Sequence, residues 1–397
     1  MIMTLINLLL ITVFITTSFT VVYSLVFSVG GLFARKKKFK NKDIYKKIAV
    51  LMPSYKEDAV ILETANHALF QQYPTHRYDV VVIADSLLPE TIEKLKKLPL
   101  QLVQVSFDQS TKAKALNAAF ESLTQSYDIA VVLDADNMMK PDFLSLINTA
   151  FVNGCYAIQG HRIAKNLNTR FAILDGISEE INNHIFRKGQ QALGFSSSII
   201  GSGMAFSYLY LKQVMAEINA VGGFDKELEL KLIEDNHRIV YLENAYVLDE
   251  KVQKSEVFAN QRTRWISAQL IYLRKYFLKG SLCLLFGKTD YANKVAHYAM
   301  VPKVLLMGFL FIASLLSWFA PPEMLIGFSQ WITLSALYII AMVIAIPVSY
   351  YNFETAKALA SLPLSFFIMF KAMFKLKGAN KKFIHTPHTA NFEKAGQ

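Results

Sequence analysis

Three long apolar stretches flank a central region of mixed polarity. Residues 4–34 contain no charged side chain and exceed the roughly 20 residues that a helix needs to cross a bilayer. Two further stretches of spanning length lie at about 298–320 and 329–351. This pattern predicts one transmembrane helix before the central region and a pair of transmembrane helices after it.

A fourth apolar stretch, at about 356–374, is interrupted by Pro363 and Lys371 and leads into a basic tail. A fourth span would place the lysines of that tail outside the cell, although basic flanks normally stay in the cytoplasm. The sequence therefore favours an amphipathic or re-entrant interfacial helix, with a fourth span as the alternative.

The basic residues of the chain indicate its orientation. Lys and Arg exceed Asp and Glu by 42 to 31, and segment 35–47 has eight basic residues and one acid, Asp43. Because this flank follows the first apolar stretch, we expect the central region to be cytoplasmic. A cleaved signal peptide is the alternative, but its basic residues would precede the apolar stretch. Basic residues beside apolar stretches favour membrane lipids over nucleic acid as partners.

Short β-rich runs alternate with helix-period segments in the central region. The runs lie at 48–52, 79–84, 102–105 and 129–133. This alternation predicts an α/β fold with a mostly parallel, doubly wound sheet. Because ligands of such sheets bind beyond the carboxyl ends of the strands, the residues after each strand are the first candidates for a site.

Acidic residues follow two of the predicted strands. Asp85 ends the second, and Asp134 and Asp136 follow the fourth. Two carboxylates beside an apolar strand are costly to bury without a cation. Mg²⁺ or Mn²⁺ that also binds substrate phosphates would offset their repulsion. The alternative is that one carboxylate caps the next helix and the other is solvated.

Other polar residues extend this set. Together with these acids, Lys112 and the pair Glu234-Asp235 suggest a nucleoside diphosphate site with one carboxylate more than the cation needs. No Gly-x-Gly-x-x-Gly follows the first strand and no Walker loop occurs, which argues against dinucleotide and P-loop chemistry.

The ordered motifs resemble those of the membrane-embedded family-2 glycosyltransferases, which include cellulose, chitin and hyaluronan synthases and ceramide glucosyltransferase. The resemblance spans nearly the whole chain. The motifs are Pro53-Ser54-Tyr55-Lys56-Glu57, Val82-Ile83-Ala84-Asp85, Lys112-Ala113-Lys114-Ala115-Leu116-Asn117, Asp134-Ala135-Asp136, Glu234-Asp235 and Gln261-Arg262-Thr263-Arg264-Trp265.

The resemblance implies a GT-A type fold and a role for each motif. Asp136 is the expected ligand of Mg²⁺ or Mn²⁺, and Asp235, beside Glu234, the expected general base. The residues expected to bind the nucleotide sugar are Pro53, Tyr55, Glu57, Asp85, Lys112 and Asp134. The residues expected at the acceptor and the diphosphate are Gln261, Arg264 and Trp265. Spacing alone would also allow Trp265 to be an interface anchor.

The activity that the resemblance implies is inverting transfer of a sugar from a UDP-sugar to a hydroxyl of a lipid-linked or polysaccharide acceptor. The protein would be integral to a bacterial inner membrane, with its catalytic domain in the cytoplasm. A non-catalytic, membrane-anchored scaffold or sensor that binds nucleotide sugars is the alternative.

The expected domains follow the same order along the chain. They are a transmembrane helix (1–34), a basic linker (35–47), a cytoplasmic GT-A domain (48–257), amphipathic interface helices (258–295), two transmembrane helices (296–352), and an interfacial or fourth membrane helix with a basic tail (353–397).

Overall fold

The computed structural model describes residues 2–374 apart from 36, 41, 221 and 254, and the predicted basic tail lies outside the described residues. Eight strands form one sheet in the order β3-β2-β1-β4-β7-β6-β8-β5. The strands are β1 (Ile48–Tyr55), β2 (Tyr78–Asp85), β3 (Gln101–Val105), β4 (Ile129–Val132), β5 (Met138–Met139), β6 (Ala157–Ala164), β7 (Met204–Ser207) and β8 (Ile239–Asp249).

The helices surround this sheet and extend beyond it. Those up to the last strand are α1 (Ile2–Leu32), α2 (Ile61–Ala68), α3 (Pro89–Leu95), α4 (Lys112–Ser122), α5 (Phe143–Val152), α6 (Arg170–Asn182), α7 (Gln190–Ala192), α8 (Tyr208–Glu217) and α9 (Phe224–Glu234). Those after it are α10 (Ser255–Leu285), α11 (Thr289–Tyr298), α12 (Lys303–Ser317), α13 (Phe328–Ala345), α14 (Phe353–Leu359) and α15 (Leu362–Met373).

The first four strands form the parallel half of the sheet. β1 lies between β2 and β4, and β2 pairs with β3, all in parallel. Side chains alternate between two cores: Val50 and Val131 lie in the core on one face, and Leu51 and Val132 in the core on the other. Burial on both faces explains the near-continuous apolar runs in the sequence. The prediction of a mostly parallel α/β sheet with flanking helices is confirmed.

The second half of the sheet is mixed and was not predicted. β7 is antiparallel to both β4 and β6, whereas β6 and β8 pair in parallel. Their register shifts after Gly160, which pairs with Leu242, because the next residue, His161, pairs with Tyr246. A Cβ at Gly160 would come within 2.9 Å of the carbonyl oxygen of Ala245, so this irregular crossing requires glycine.

Among the described residues, α1 and α13 are long and apolar enough to cross a membrane. The pairs α11–α12 and α14–α15, bent by 66° and 43°, bring the candidate spans to four if each pair is one span. Pro363 lies in the first turn of α15, so the predicted interruption coincides with a break between helices. The predicted domain boundary after residue 257 falls inside α10.

The N-terminal helix α1 contacts both the apolar helices and the π-helical segment Asn183–Gly189. Ser28 Oγ donates a hydrogen bond to the carbonyl oxygen of Ala341 in α13, 2.7 Å away. The backbone also approaches closely, because a Cβ at Gly189 would lie 2.0 Å from the carbonyl oxygen of Phe27. Glycine therefore allows α1 to pack directly on the backbone of the π-helical segment.

We expect Gly189→Ala to destabilise the protein, because the added methyl group meets backbone atoms that cannot rotate away. Overpacking of this kind costs roughly 1–3 kcal/mol. Thermal unfolding in detergent would measure the loss. Gly327→Ala is the matched control, since its Cβ would meet only Gln330 Oε1, at 3.6 Å. Equal unfolding temperatures for the two variants would contradict the close approach of α1.

Candidate active site

A cavity of about 630 Å³ begins beyond the carboxyl ends of β1, β2 and β4 and extends to the apolar helices α12, α13 and α15. Its walls include ten of the twelve site residues predicted from sequence. These ten are Pro53, Tyr55, Glu57, Asp85, Lys112, Asp134, Asp136, Gln261, Arg264 and Trp265. The two that the structure does not bring to the cavity are Glu234 and Asp235.

The ends of β1 and β2 form one corner of the cavity. Tyr55 and Asp85 are paired across the two strands, and the backbone N–H of Lys56 donates to the carbonyl oxygen of Asp85 at 3.1 Å. Lys56 and Ser86 then adopt left-handed backbone angles, with φ of 56° and 57°. Such conformations are uncommon outside glycine and recur at functional sites. They turn the backbone sharply after β1 and after β2, at the edge where Asp85, only 1% exposed, lines the cavity.

A loop before β7 supports the acidic residues that follow β4. Ser202 Oγ accepts a hydrogen bond from the backbone N–H of Asp134 at 2.9 Å and donates one to Asn137 Oδ1 at 2.6 Å. Lys112, the first residue of α4, binds both the Asp134 carboxylate and the carbonyl oxygen of Gly201. The cation of Lys112 thus lies directly beside the Asp134 carboxylate, one of those predicted to serve a diphosphate site.

The acidic residues after β4 are suited to bind a divalent cation whose other ligands come from a substrate. Asp136 is only 5% exposed and lines the same cavity as Asp134. Within the described part of the chain, no group of three His, Cys, Asp or Glu residues is arranged to hold a metal. Mg²⁺ is commonly held by one or two carboxylates, with phosphate and water as its other ligands. Asp134 and Asp136 supply oxygen ligands of this kind.

A carboxylate that the sequence reasoning missed also lines the cavity. Asp225 lies in the first turn of α9, after Gly223, whose φ of 72° is left-handed. Burial raises the pKa of the Asp225 carboxyl above its ordinary value, an effect that Lys226 opposes, Glu229 increases and Lys112 opposes. A carboxylate with a raised pKa is a better proton acceptor than an ordinary aspartate.

The predicted base Asp235 lies at the opposite end of α9. The helix has 11 residues, and at a rise of 1.5 Å per residue it separates Asp235 from Asp225 by about 15 Å. Asp235 accepts a hydrogen bond from the Tyr210 hydroxyl at 2.8 Å, and Glu234 forms an ion pair with Lys279 at 2.6 Å. Asp235 therefore does not line the cavity that Asp136 lines, and α9 places the Glu-Asp pair at the end away from Asp225.

The sequence contains a signal that could have identified Asp225. It follows Gly222, Gly223 and Phe224, and a glycine pair allows a tight turn directly before a helix. An acid placed just after such a turn is held at a helix N-terminus. The role of general base was assigned to Asp235 instead, because Glu234-Asp235 matches the expected motif.

Helix α10 carries the residues that were predicted for the acceptor side. Gln261, Arg264 and Trp265 all line the cavity, and Trp265 is 41% exposed. The Arg262 guanidinium lies over the Trp265 ring, 4.3 Å from its centre. Gln261 Oε1 is buried and has no hydrogen-bond partner among the described residues. A sugar or lipid hydroxyl is the kind of donor that would satisfy this oxygen.

A buried charge cluster in the cavity wall was also missed. Glu179 of α6 pairs with Arg162 of β6 at 2.8 Å and with Arg187 of the π-helical segment at 3.1 Å. Lys251 pairs with Asp249 at 2.7 Å. Burial alone would raise the pKa of Glu179, but the surrounding cations, above all Arg162, hold it well below its ordinary value. These charges therefore remain ionised, and each partner depends on the others.

Comparison with known proteins identifies the family of this chain. The sequence profile of the family described as "Glycosyltransferase like family 2" matches residues 46–268, which is more than half of the chain. The chain belongs to this family, and the prediction of a glycosyltransferase is confirmed.

Two curated relatives match over part of their length. A probable glycosyltransferase, YdaM, of Bacillus subtilis (strain 168) is 22% identical over 243 residues, covering 58% of this chain and 57% of the relative. A beta-monoglucosyldiacylglycerol synthase of Nostoc sp. (strain PCC 7120) is 25% identical over 255 residues, covering 60% of this chain and 52% of the relative. The chain thus spans about half the length of these relatives.

Among solved structures, the mannosyltransferase PcManGT from Pyrobaculum calidifontis, in complex with GDP-Man and Mn²⁺, resembles this chain with a TM-score of 0.46 at 16% identity. The similarity covers 83% of this chain and 98% of that one.

We expect Glu179→Gln to destabilise the protein, because the neutral amide leaves two buried guanidinium groups without their shared carboxylate. Breaking a buried ion pair on one side costs roughly 3–5 kcal/mol. Chemical unfolding in detergent would measure the free energy of unfolding. Glu121→Gln, at an exposed position of α4, is the control and should change little. A Glu179 variant as stable as this control would refute the shared ion pair.

Proposed function

We propose that the protein is an inverting, metal-dependent glycosyltransferase that transfers a sugar from a UDP-sugar to a hydroxyl acceptor at the cytoplasmic face of a bacterial inner membrane. Membership of family 2 supports sugar transfer. The observation that carries the rest is one cavity, in which Asp85, Asp134 and Asp136 lie with Asp225 and the acceptor-side residues of α10.

The nucleotide would bind at the strand ends. Carboxylate oxygens accept hydrogen bonds from ribose hydroxyls and from the N–H of uracil, and Asp85, which lines the cavity at the corner of β1 and β2, would make such a contact. Lys112 would lie beside the diphosphate and offset its charge as it leaves. A divalent ion held by Asp134 and Asp136 supplies further neutralisation of this leaving group when bound.

Asp225 is our proposed general base. The acceptor oxygen forms a bond to the anomeric carbon while the bond from that carbon to the diphosphate oxygen breaks, and the hydroxyl proton passes to the Asp225 carboxylate. A single displacement of this kind inverts the anomeric carbon. The raised pKa of Asp225 supports this role, because the group takes up a proton more readily than an exposed aspartate would.

The membrane location rests on the apolar helices and the charges beside them. α1 and α13 have the length and composition of spans, and the basic segment 35–47 follows α1 directly. Basic flanks favour the cytoplasm, so the catalytic domain would lie on that side. The two curated relatives are bacterial, which supports a bacterial inner membrane.

The test of the catalytic assignment is a comparison of two aspartates on one helix. We expect Asp225→Asn to lower UDP release from UDP-sugars by a factor of about 100 or more, with UDP binding retained. Asp235→Asn is the matched control and should keep near-normal turnover, because Asp235 does not line the cavity. Purified protein in detergent would be screened against UDP-glucose, UDP-N-acetylglucosamine and UDP-galactose.

The reverse pattern, with Asp235→Asn inactive and Asp225→Asn active, would restore the Glu-Asp pair as the catalytic motif. Binding of a UDP-sugar without UDP release, by the unaltered protein and both variants alike, would favour a binding scaffold instead of an enzyme.

We expect chelation to remove activity and added Mn²⁺ or Mg²⁺ to restore it. Asp136→Asn should require a higher concentration of metal for half-maximal turnover, because one oxygen ligand is lost. Glu256→Gln, in the first turn of α10 and outside the cavity lining, is the control. Full UDP release in excess chelator would contradict metal dependence.

A further inference from the structure

The cavity changes character from one end to the other. Beyond α10 it continues between α6 and the helices α12 to α15. We call this part the apolar end, and its lining there is mainly Met, Leu and Ile side chains. They are Met307, Met342, Ile346, Leu359, Leu362 and Met369. A ligand that filled the whole cavity would therefore need one polar part and one hydrocarbon part.

We infer that the acceptor is a lipid with a free hydroxyl, whose hydrocarbon part occupies the apolar end while its hydroxyl reaches Asp225. This inference rests on the proposed function and names the class of acceptor used at the same site.

The lining of the apolar end distinguishes a lipid from a polysaccharide. Sugars bind through hydrogen bonds to their hydroxyls and through stacking on aromatic rings. Among the described cavity-lining residues of α12 to α15, none is aromatic. Lys303, at the start of α12, and Ser365 are the polar ones in that part of the lining. The Ser365 hydroxyl already donates to the carbonyl oxygen of Ser361 at 3.1 Å.

Methionine makes the apolar end suited to flexible chains. Met307, Met342 and Met369 come from three different helices and line the same part of the cavity. Unbranched thioether side chains adapt to irregular apolar ligands more readily than branched ones. A hydrocarbon chain in the apolar end would contact methionine side chains on three sides. The chain would not need to adopt one fixed shape.

Charged groups mark the position expected for the lipid headgroup. Lys303 lines the cavity where the polar and apolar parts meet, and its Nζ donates to the carbonyl oxygen of Ser178 at 2.9 Å. Arg262, bound to Asp175, lines the same region. A headgroup placed there would lie between the hydrocarbon part and the catalytic carboxylates.

Helix α15 separates the apolar end from the surroundings of the protein. Ser365 and Met369 face inward and are 1% and 4% exposed, whereas Phe367 and Phe370 are 59% and 46% exposed. The wall of the cavity on this side is thus one helix thick. If α15 borders the bilayer, as its exposed apolar face suggests, a lipid acceptor reaches the cavity past a single helix.

The experiment narrows the apolar end without altering the nucleotide site. Met369→Trp adds a large ring at a buried, cavity-lining position of α15, and Met373→Trp adds the same ring one turn later, where Met373 is 45% exposed and outside the lining. Met342→Trp, from α13, provides a second obstruction from another helix. Full-length protein in lipid vesicles would receive radiolabelled UDP-sugars with dioleoylglycerol or a ceramide as the probe acceptor.

We expect label in the organic-extractable fraction. Met369→Trp and Met342→Trp should reduce this transfer roughly tenfold, since each lost methylene contact weakens binding severalfold, while Met373→Trp should not. UDP binding and the unfolding temperature should match those of the unaltered protein, which shows that the Trp variants are folded.

Label in a water-soluble polymer would overturn the lipid acceptor. So would equal transfer by the Met369 and Met373 variants, or UDP release that yields no extractable product with either probe lipid. Absence of UDP release from every donor, by contrast, would count against the proposed function itself.

Discussion

The shared carboxylate of Glu179 is the interaction on which the arrangement of this protein depends. It joins Arg162 in the sheet, Arg187 in the π-helical segment and its own helix α6. The π-helical segment in turn packs against α1, so one buried cluster of charges connects the catalytic sheet to the apolar helices. Because each charge is costly to bury alone, the two parts of the protein are held in one relative position, and the cavity forms between them.

This connection explains why the cavity is polar at one end and apolar at the other. The strand ends contribute carboxylates such as Asp85 and Asp136, and the apolar helices contribute Met342 and Met369. The polar end suits a nucleotide diphosphate, and the apolar end suits a hydrocarbon chain. The proposed transfer from a water-soluble donor to a lipid acceptor needs both ends in contact, and neither part of the fold could supply that alone.

On α9, the residues that match the expected motif are not the residues that line the cavity. Glu234-Asp235 matches the expected motif, yet this pair lies at the C-terminal end of the helix, where Asp235 binds Tyr210. Asp225 in the first turn of the same helix lines the cavity. Eleven residues of helix separate a carboxylate that lines the cavity from one that does not, and the sequence motif alone carries no information about that distance.

The sequence by itself determined the parallel half of the sheet, the apolar helices and the residues at the strand ends. Burial on both faces of β1 and β4 requires continuous apolar runs, and the ends of such strands meet at one edge, so Asp85, Asp134 and Asp136 could be grouped in advance. Only the tertiary structure decided which end of α9 faces the cavity, how Glu179 is shared, and where the apolar helices meet the sheet. Those outcomes depend on contacts between residues far apart along the chain, and local patterns of polarity do not encode them.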